Sequence, residues 1–220
     1  MVGALEEKIT AMKRLLVTAF EPFDGETINP SQEVARRLAG SDFPETILHT
    51  SELPVDRFRA VDLAAEAIRG FQPDAIIMLG LAAGRYRVTP ERVAINVDNF
   101  RIADNAGNQP SGEPIIEGGP AGYFSTLPIR AITDRLIAAH IPARISNTAG
   151  TYLCNRLFYS VMHQIAVEGL SPIAGFIHIP YLHEQTVNKD WDFPSLSRET
   201  LVEGIRLATE VTLTYLPEPK

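Results

Sequence analysis

The chain has 220 residues, 45% of them hydrophobic and 21% charged, which is enough apolar material for one sizeable buried core. A net charge of -7 and a pI near 5.3 argue against a nucleic-acid-binding or anionic-membrane surface. A single cysteine cannot form an intramolecular disulfide, so a disulfide-stapled secreted scaffold is excluded.

The first residues carry Glu6 and Glu7 and lack a long apolar stretch, a poor signal peptide. Elsewhere no apolar run reaches membrane-spanning length. These features lead us to expect a cytoplasmic protein. Residues 1–13 read as an N-terminal extension, of which 1–11 form a short helix or derive from an upstream start. With no linker, repeat or charge block to divide it, 14–220 reads as a single domain.

Residues 15–19 are a short apolar run feeding a loop, so they predict a buried strand. Asn29-Pro30-Ser31 offers a helix N-cap, with Val34, Ala35 and Leu38 at helical spacing. A strand is expected over 46–50 and a helix over 55–71. Residues 75–81 (AIIMLGL) form the continuous apolar run of a strand buried on both faces. A short strand follows over 92–97, then a polar, turn-rich stretch over 98–120, whose length inside a compact domain marks a functional or disordered loop. Helical periodicity over 128–140, 151–167 and 197–215 alternates with strands over 143–146 and 173–179. The alternation predicts a three-layer α/β/α sandwich around a mostly parallel, mixed sheet.

Cys154 follows Asn147-Thr148-Ala149-Gly150-Thr151, small and turn-forming residues that place it in the first turn of a helix. There the free backbone N–H groups and the helix dipole favour an anion, which would lower the thiol pKa and could receive an oxyanion. A lone cysteine on an amphipathic helix is, on its own, more often a small buried hydrophobe. Of five histidines, His140 and His163 have structural explanations as helix residues. His178 ends a strand, where ligand sites of open α/β sheets lie, and His183 in the next loop is the reserve. Glu91 is placed to orient an imidazole, although a surface pair with Arg92 is the commoner fate of a Glu-Arg dipeptide.

Four blocks together resemble the pyroglutamyl peptidase I (pyrrolidone carboxyl peptidase) family of cysteine peptidases. They are Thr18 to Phe23 with Asn29-Pro30-Ser31; Gly80 to Arg85 through Glu91 to Asn96; Gly119-Pro120 through Tyr123 to Pro128; and Ser146 to Asn155 with Ile177 to Pro180. The resemblance implies an omega peptidase that hydrolyses the bond after an N-terminal pyroglutamyl residue, with Cys154 as nucleophile, His178 as acid and base and Glu91 as its acidic partner. It also implies no metal or organic cofactor, N-terminally pyroglutamylated peptides as partners, neither nucleic acid nor membrane, a cytoplasmic setting and a homotetramer. Phe20 and Phe23 resemble the residues that wall the family's lactam slot. Backbone groups near Asn29 and Leu81 are offered to the lactam, and Arg101 and Asp104 match a charged segment that supports the site. Asp24 and Ala83 stand where glycines are usual, and Leu81 where many relatives carry Gln. The rival readings are a non-hydrolytic binder of pyroglutamyl peptides or 5-oxoproline on the same fold, and another α/β enzyme such as a nucleoside phosphorylase. The latter lacks a Walker-type phosphate loop here.

Overall fold

From Leu15 onward every side chain of the first strand is buried, which requires protein on both faces of the sheet. The computed structural model, which describes residues 12–216, supplies both layers. In chain order the first elements are β1 (Lys13–Phe20), α1 (Pro30–Leu38), β2 (Thr46–Leu53), α2 (Arg59–Phe71) and β3 (Ala75–Leu81). Five short strands follow: β4 (Thr89–Pro90), β5 (Val93–Ile95), β6 (Asp98–Asn99), β7 (Ser111–Glu113) and β8 (Gly122–Phe124). The chain continues through α3 (Ile129–Ala138), α4 (Leu153–Glu168), β9 (Ile173–Ile179), β10 (Tyr181–Leu182), α5 (His183–Thr186), β11 (Ser195–Leu196) and α6 (Arg198–Thr214).

The main sheet has the order β2-β1-β3-β9-β4, parallel except for the antiparallel β9–β4 pair. Side-chain alternation sorts its residues. Leu15, Val17, Ile77, Leu79, Ile177 and Ile179 pack with α1, α3 and α6. Leu16, Ile76, Met78 and Phe176 pack with α2 and α4 on the other face. The fold is thus the expected single-domain α/β/α sandwich on a mixed, mainly parallel sheet. Each of these wholly buried Leu or Ile side chains contributes about 1.5–3 kcal/mol relative to exposure.

Three expectations need adjustment. The second helix starts at Arg59 rather than at 55, because Asp56 Oδ1 accepts from the Phe58 and Arg59 N–H groups, each at 2.8 Å, and holds 55–58 as a turn. Residues 143–146 form bridges rather than a full strand. Val88 N donates to Pro142 O (2.9 Å), Arg144 N to Val88 O (3.1 Å), Ser146 N to Pro90 O (3.0 Å) and Arg92 N to Ser146 O (2.8 Å), extending the sheet past β4. The 98–120 stretch is an ordered excursion containing the β6–β7 antiparallel pair, not a featureless loop. Its anchor is Asp98, wholly buried, which accepts from Arg57 Nε at 2.9 Å and from Arg156 of α4. The expected helix over 1–11 lies outside the described residues. Among the described residues no helix is long and apolar enough to cross a membrane.

Candidate active site

The C-terminal ends of the parallel strands, where such sheets carry their sites, gather the chemistry-bearing side chains. Helix α4 begins above this edge. Thr151 is held outside the helix by its Oγ1 bond to Asn99 O (2.8 Å), and Gly150 takes a φ of 78° that glycine alone adopts without strain. Tyr152 is an extended N-cap with no side-chain cap bond, so the first-turn N–H groups are left without a capping side chain. Cys154 is the second residue of that turn. Its sulfur rests on the sheet over Gly80: a Cβ at Gly80 would lie 2.9 Å from Cys154 Sγ and 2.7 Å from Phe176 Cζ. Gly80 is register partner to His178 on the neighbouring strand, so the helix-borne thiol lies over β3 at the level where β9 carries the imidazole.

His178 is buried on the same sheet face as Phe176, with ring centroids 4.7 Å apart. Its Nδ1 lies 2.8 Å from Glu91 Oε1. Glu91 has no exposed surface; its N–H donates to Phe176 O at 2.8 Å, which fixes it beside β9. The proposed surface pair with Arg92 is absent, because Arg92 Nε instead donates to Asn147 Oδ1 at 2.8 Å. The reserve histidine is also spent elsewhere: His183 Nδ1 meets Ser195 Oγ at 2.8 Å on the surface.

Electrostatics follow from this burial. Desolvation would raise the Glu91 carboxyl, but the hydrogen bond and charge of His178, with help from Ser146 and Arg85, hold it below the usual carboxylate range. Desolvation pulls His178 below the ordinary imidazole value despite the opposing carboxylate. The thiol departs from expectation. Burial, joined by the Glu91 charge, pushes Cys154 up to about 12, outweighing the favourable charge of Arg85. Cys154 retains some surface at the cleft, yet protein surrounds its sulfur, and the helix start does not offset that loss of water. Burial thus favours the neutral form of both the thiol and the imidazole.

Next to the thiol is a small cavity of about 40 Å³ lined by Phe20, Phe23, Asn29, Leu81, Val55, Tyr152, Leu153 and Cys154. At about 10–15 Å³ per water-sized group it has room for about three, a small slot rather than a groove for an extended peptide. All four expected lining residues are present. The Asn29 side chain is not free for a ligand, however. Its Oδ1 caps α1 through Ser31 N (3.0 Å) and meets Ser31 Oγ (2.8 Å), while Nδ2 donates to Glu21 O (2.9 Å). Sequence reasoning missed Val55, Tyr152 and Leu153; Tyr152 packs edge-on against Phe100 at 4.5 Å and tilts against Phe23 at 6.3 Å. Its place two residues before the cysteine was the one available signal.

The supporting residues separate. Asp104 is a loop organiser, accepting from the N–H groups of Arg57 (2.6 Å), Ala106 (3.0 Å) and Asn108 (2.8 Å). Arg101 is exposed, and its carbonyl accepts from Gln109 Nε2 at 3.1 Å. Asp24 is exposed at φ 55°, a left-handed turn position that explains a usual glycine, and it does not line the cavity.

A thiol at a helix start, a buried imidazole and a buried carboxylate beside a small, mainly apolar cavity are the parts of a cysteine peptidase on an α/β/α sheet. Comparison with known proteins narrows that class. A family model described as pyroglutamyl peptidase matches residues 13–215. The pyrrolidone-carboxylate peptidase of Vibrio parahaemolyticus is 47% identical over 93% of this chain and 94% of its own length. A pyrrolidone-carboxylate peptidase of Bacillus cereus is 47% identical over 92% and 94%. Among solved structures, pyroglutamyl peptidase I of Bacillus amyloliquefaciens superposes with a TM-score of 0.88 at 43% identity, covering 92% of this chain and 98% of that one. Pyrrolidone carboxyl peptidase of Thermococcus litoralis gives 0.89 at 40% identity, covering 93% and 94%. The chain belongs to the pyroglutamyl peptidase family of cysteine peptidases, and nothing in these matches favours the non-hydrolytic alternative.

Proposed function

We propose that this enzyme hydrolyses the bond after an N-terminal pyroglutamyl residue of peptides by acyl transfer through Cys154. The observation that carries the reading is the convergence at one strand edge. The Cys154 sulfur lies over Gly80, and His178, one strand across, is bonded through Nδ1 to the buried Glu91 at 2.8 Å.

With Nδ1 donating to Glu91, the His178 ring presents Nε2 as the acceptor. Because the free thiol resists ionisation, His178 takes the Cys154 proton as sulfur attacks the pyroglutamyl carbonyl, rather than before it. The first-turn N–H groups of α4 stabilise the oxyanion. The tetrahedral intermediate collapses to a thioester as His178 Nε2 passes its proton to the departing peptide amine. Water, deprotonated by the same nitrogen, then attacks the thioester and releases pyroglutamate and the thiol. Glu91 fixes the tautomer and offsets the imidazolium charge that appears in each half-reaction.

The lactam has no charged α-amine, so it suits a slot walled by Phe20, Phe23, Val55 and Tyr152 and lacking a carboxylate. Since the Asn29 side chain is committed to its helix, we assign the lactam's polar partners to backbone groups near Leu81 and Asn29. In this reading Asp104 supports the site by shaping its loop. The catalytic domain begins with β1 at Lys13, one residue before the boundary expected from the sequence. The enzyme works in the cytoplasm as a homotetramer, as the family resemblance implies.

The test is interception of the acyl-enzyme. Acid quenching during turnover of a pyroglutamyl amide, followed by peptide mapping, should find one pyroglutamyl group on the peptide containing Cys154. A label on any other residue, or a Cys154→Ala variant with near-normal turnover, would sink the mechanism.

A further inference from the structure

Glu91 Oε1 has two donors. Besides His178, it accepts from Arg85 Nη1 at 2.5 Å. The same Arg85 nitrogen lies 2.7 Å from Thr89 Oγ1, and Nη2 donates to Thr148 O at 3.0 Å. One guanidinium therefore ties the loop after β3 to β4, to the buried carboxylate and to the 147–151 turn that delivers Cys154. Arg85 is distinct from the cavity-lining residues, and its side chain is only 28% exposed while Glu91 is fully covered. An exposed Arg–Glu pair contributes little. A charge-assisted bond to a buried carboxylate oxygen fixes both its charge and its orientation.

We propose that Arg85 is a positioning residue of the triad, which holds Glu91 in register with His178 and clamps the nucleophile turn onto the same carboxylate. The inference rests on the Cys154–His178–Glu91 reading. The charged and titratable groups about His178 are Glu91 from the segment after β4, Arg85 from the loop after β3 and Cys154 from α4, with Tyr152 lining the cavity beside Cys154. Arg85 acts on this set in a definite direction. As a cation it opposes protonation of His178 and favours the thiolate, so it adds to the desolvation of the imidazole and offsets part of the Glu91 effect.

The pH profile of kcat/KM on a fluorogenic pyroglutamyl amide tests this, with Arg85→Gln, Arg85→Lys, Cys154→Ala and His178→Ala side by side and thermal melts confirming folding. For Arg85→Gln we expect kcat to fall about 10- to 100-fold with KM within about threefold, because the lost contacts are charge-assisted but remote from the ring cavity. Its acid limb should move upward by about half to one pH unit, since the imidazolium has lost a like-charged neighbour. Arg85→Lys keeps the charge, so its limb should stay in place and kcat should largely recover. A uniform loss in Arg85→Gln with an unmoved limb would reduce Arg85 to a structural prop and overturn the proposal. A shifted limb in Arg85→Lys would overturn it too, and remains readable if the Gln variant does not fold. Turnover surviving in Cys154→Ala or His178→Ala would condemn the triad itself; with both inactive and the Arg85 limbs unmoved, only the positioning role falls.

Discussion

Replacing Gly80 by alanine adds one methyl group at the place where α4 meets the sheet. Its Cβ would sit 2.7 Å from Phe176 Cζ, 2.9 Å from Cys154 Sγ and 3.0 Å from Phe176 Cε1. Ordinary carbon contacts lie near 3.5–4.0 Å, so the neighbours must retreat by about 1 Å in total. Phe176 has no exposed surface and is hemmed in by Phe158 at 6.3 Å and His178 at 4.7 Å. The first turn of α4, and the sulfur with it, therefore takes most of the displacement. Overpacking of this kind costs about 1–3 kcal/mol, which lowers Tm by about 2–12 °C for a domain of this size. A reacting atom misplaced by about 1 Å loses on the order of 10²-fold in rate. Steady-state kinetics on a fluorogenic pyroglutamyl amide should show kcat reduced about 100-fold with KM within about threefold, because Gly80 does not line the ring cavity. Wild-type kcat at an unchanged Tm would mean that the thiol is not held against Gly80, and the site geometry would have to be redrawn.

Glu91→Gln should lower kcat about 10- to 150-fold by removing a charge-assisted bond to His178. The imidazolium then loses its anion, so the acid limb of kcat/KM should move to lower pH; an upward shift would contradict the pairing. Phe23→Ala should raise KM about 2- to 13-fold through loss of an aromatic wall, with kcat little changed; an unaltered KM would remove Phe23 from the ring slot. Because burial pushes the Cys154 thiol up to about 12, the rate of iodoacetamide alkylation of the free enzyme should keep climbing from neutral pH to beyond pH 9. A plateau reached below neutral would reveal a preformed thiolate–imidazolium pair instead.

The most legible parts of the fold were strands buried on both faces. Residues 75–81 and 173–179 are continuous apolar runs because helices cover each side, and both strands fall where the runs predicted. The 98–120 excursion was illegible for the opposite reason. Its β6 and β7 are two and three residues long, so they carry no alternation. Side chains hold the neighbouring segments in place: buried Asp98 grips Arg57 and Arg156, and Asn155 Nδ2 donates to Ile95 O (2.9 Å) and Val97 O (3.1 Å). Such bonds join residues 41 to 60 positions apart and leave no local pattern.

The site divided similarly. Position in the sequence favoured His178 over His183 only weakly, and the family resemblance decided between them. The physical basis for the choice is that Glu91 is carried to His178 by the β4–β9 pairing. The depressed thiol pKa inferred from a helix start failed because local sequence reports the dipole and not the depth of burial. Arg85 was visible only as one residue of a motif, since nothing in its spacing says that it shares a carboxylate with a histidine 93 positions away.

The central claim is a thiol peptidase specific for the lactam ring. Its most direct test is amine release from a pyroglutamyl amide and from the matching prolyl amide, by the wild-type enzyme and by folded Cys154→Ala. The account predicts cleavage of the pyroglutamyl compound alone, and none by the variant. Equal cleavage of both amides, or undiminished activity without the Cys154 sulfur, would contradict it.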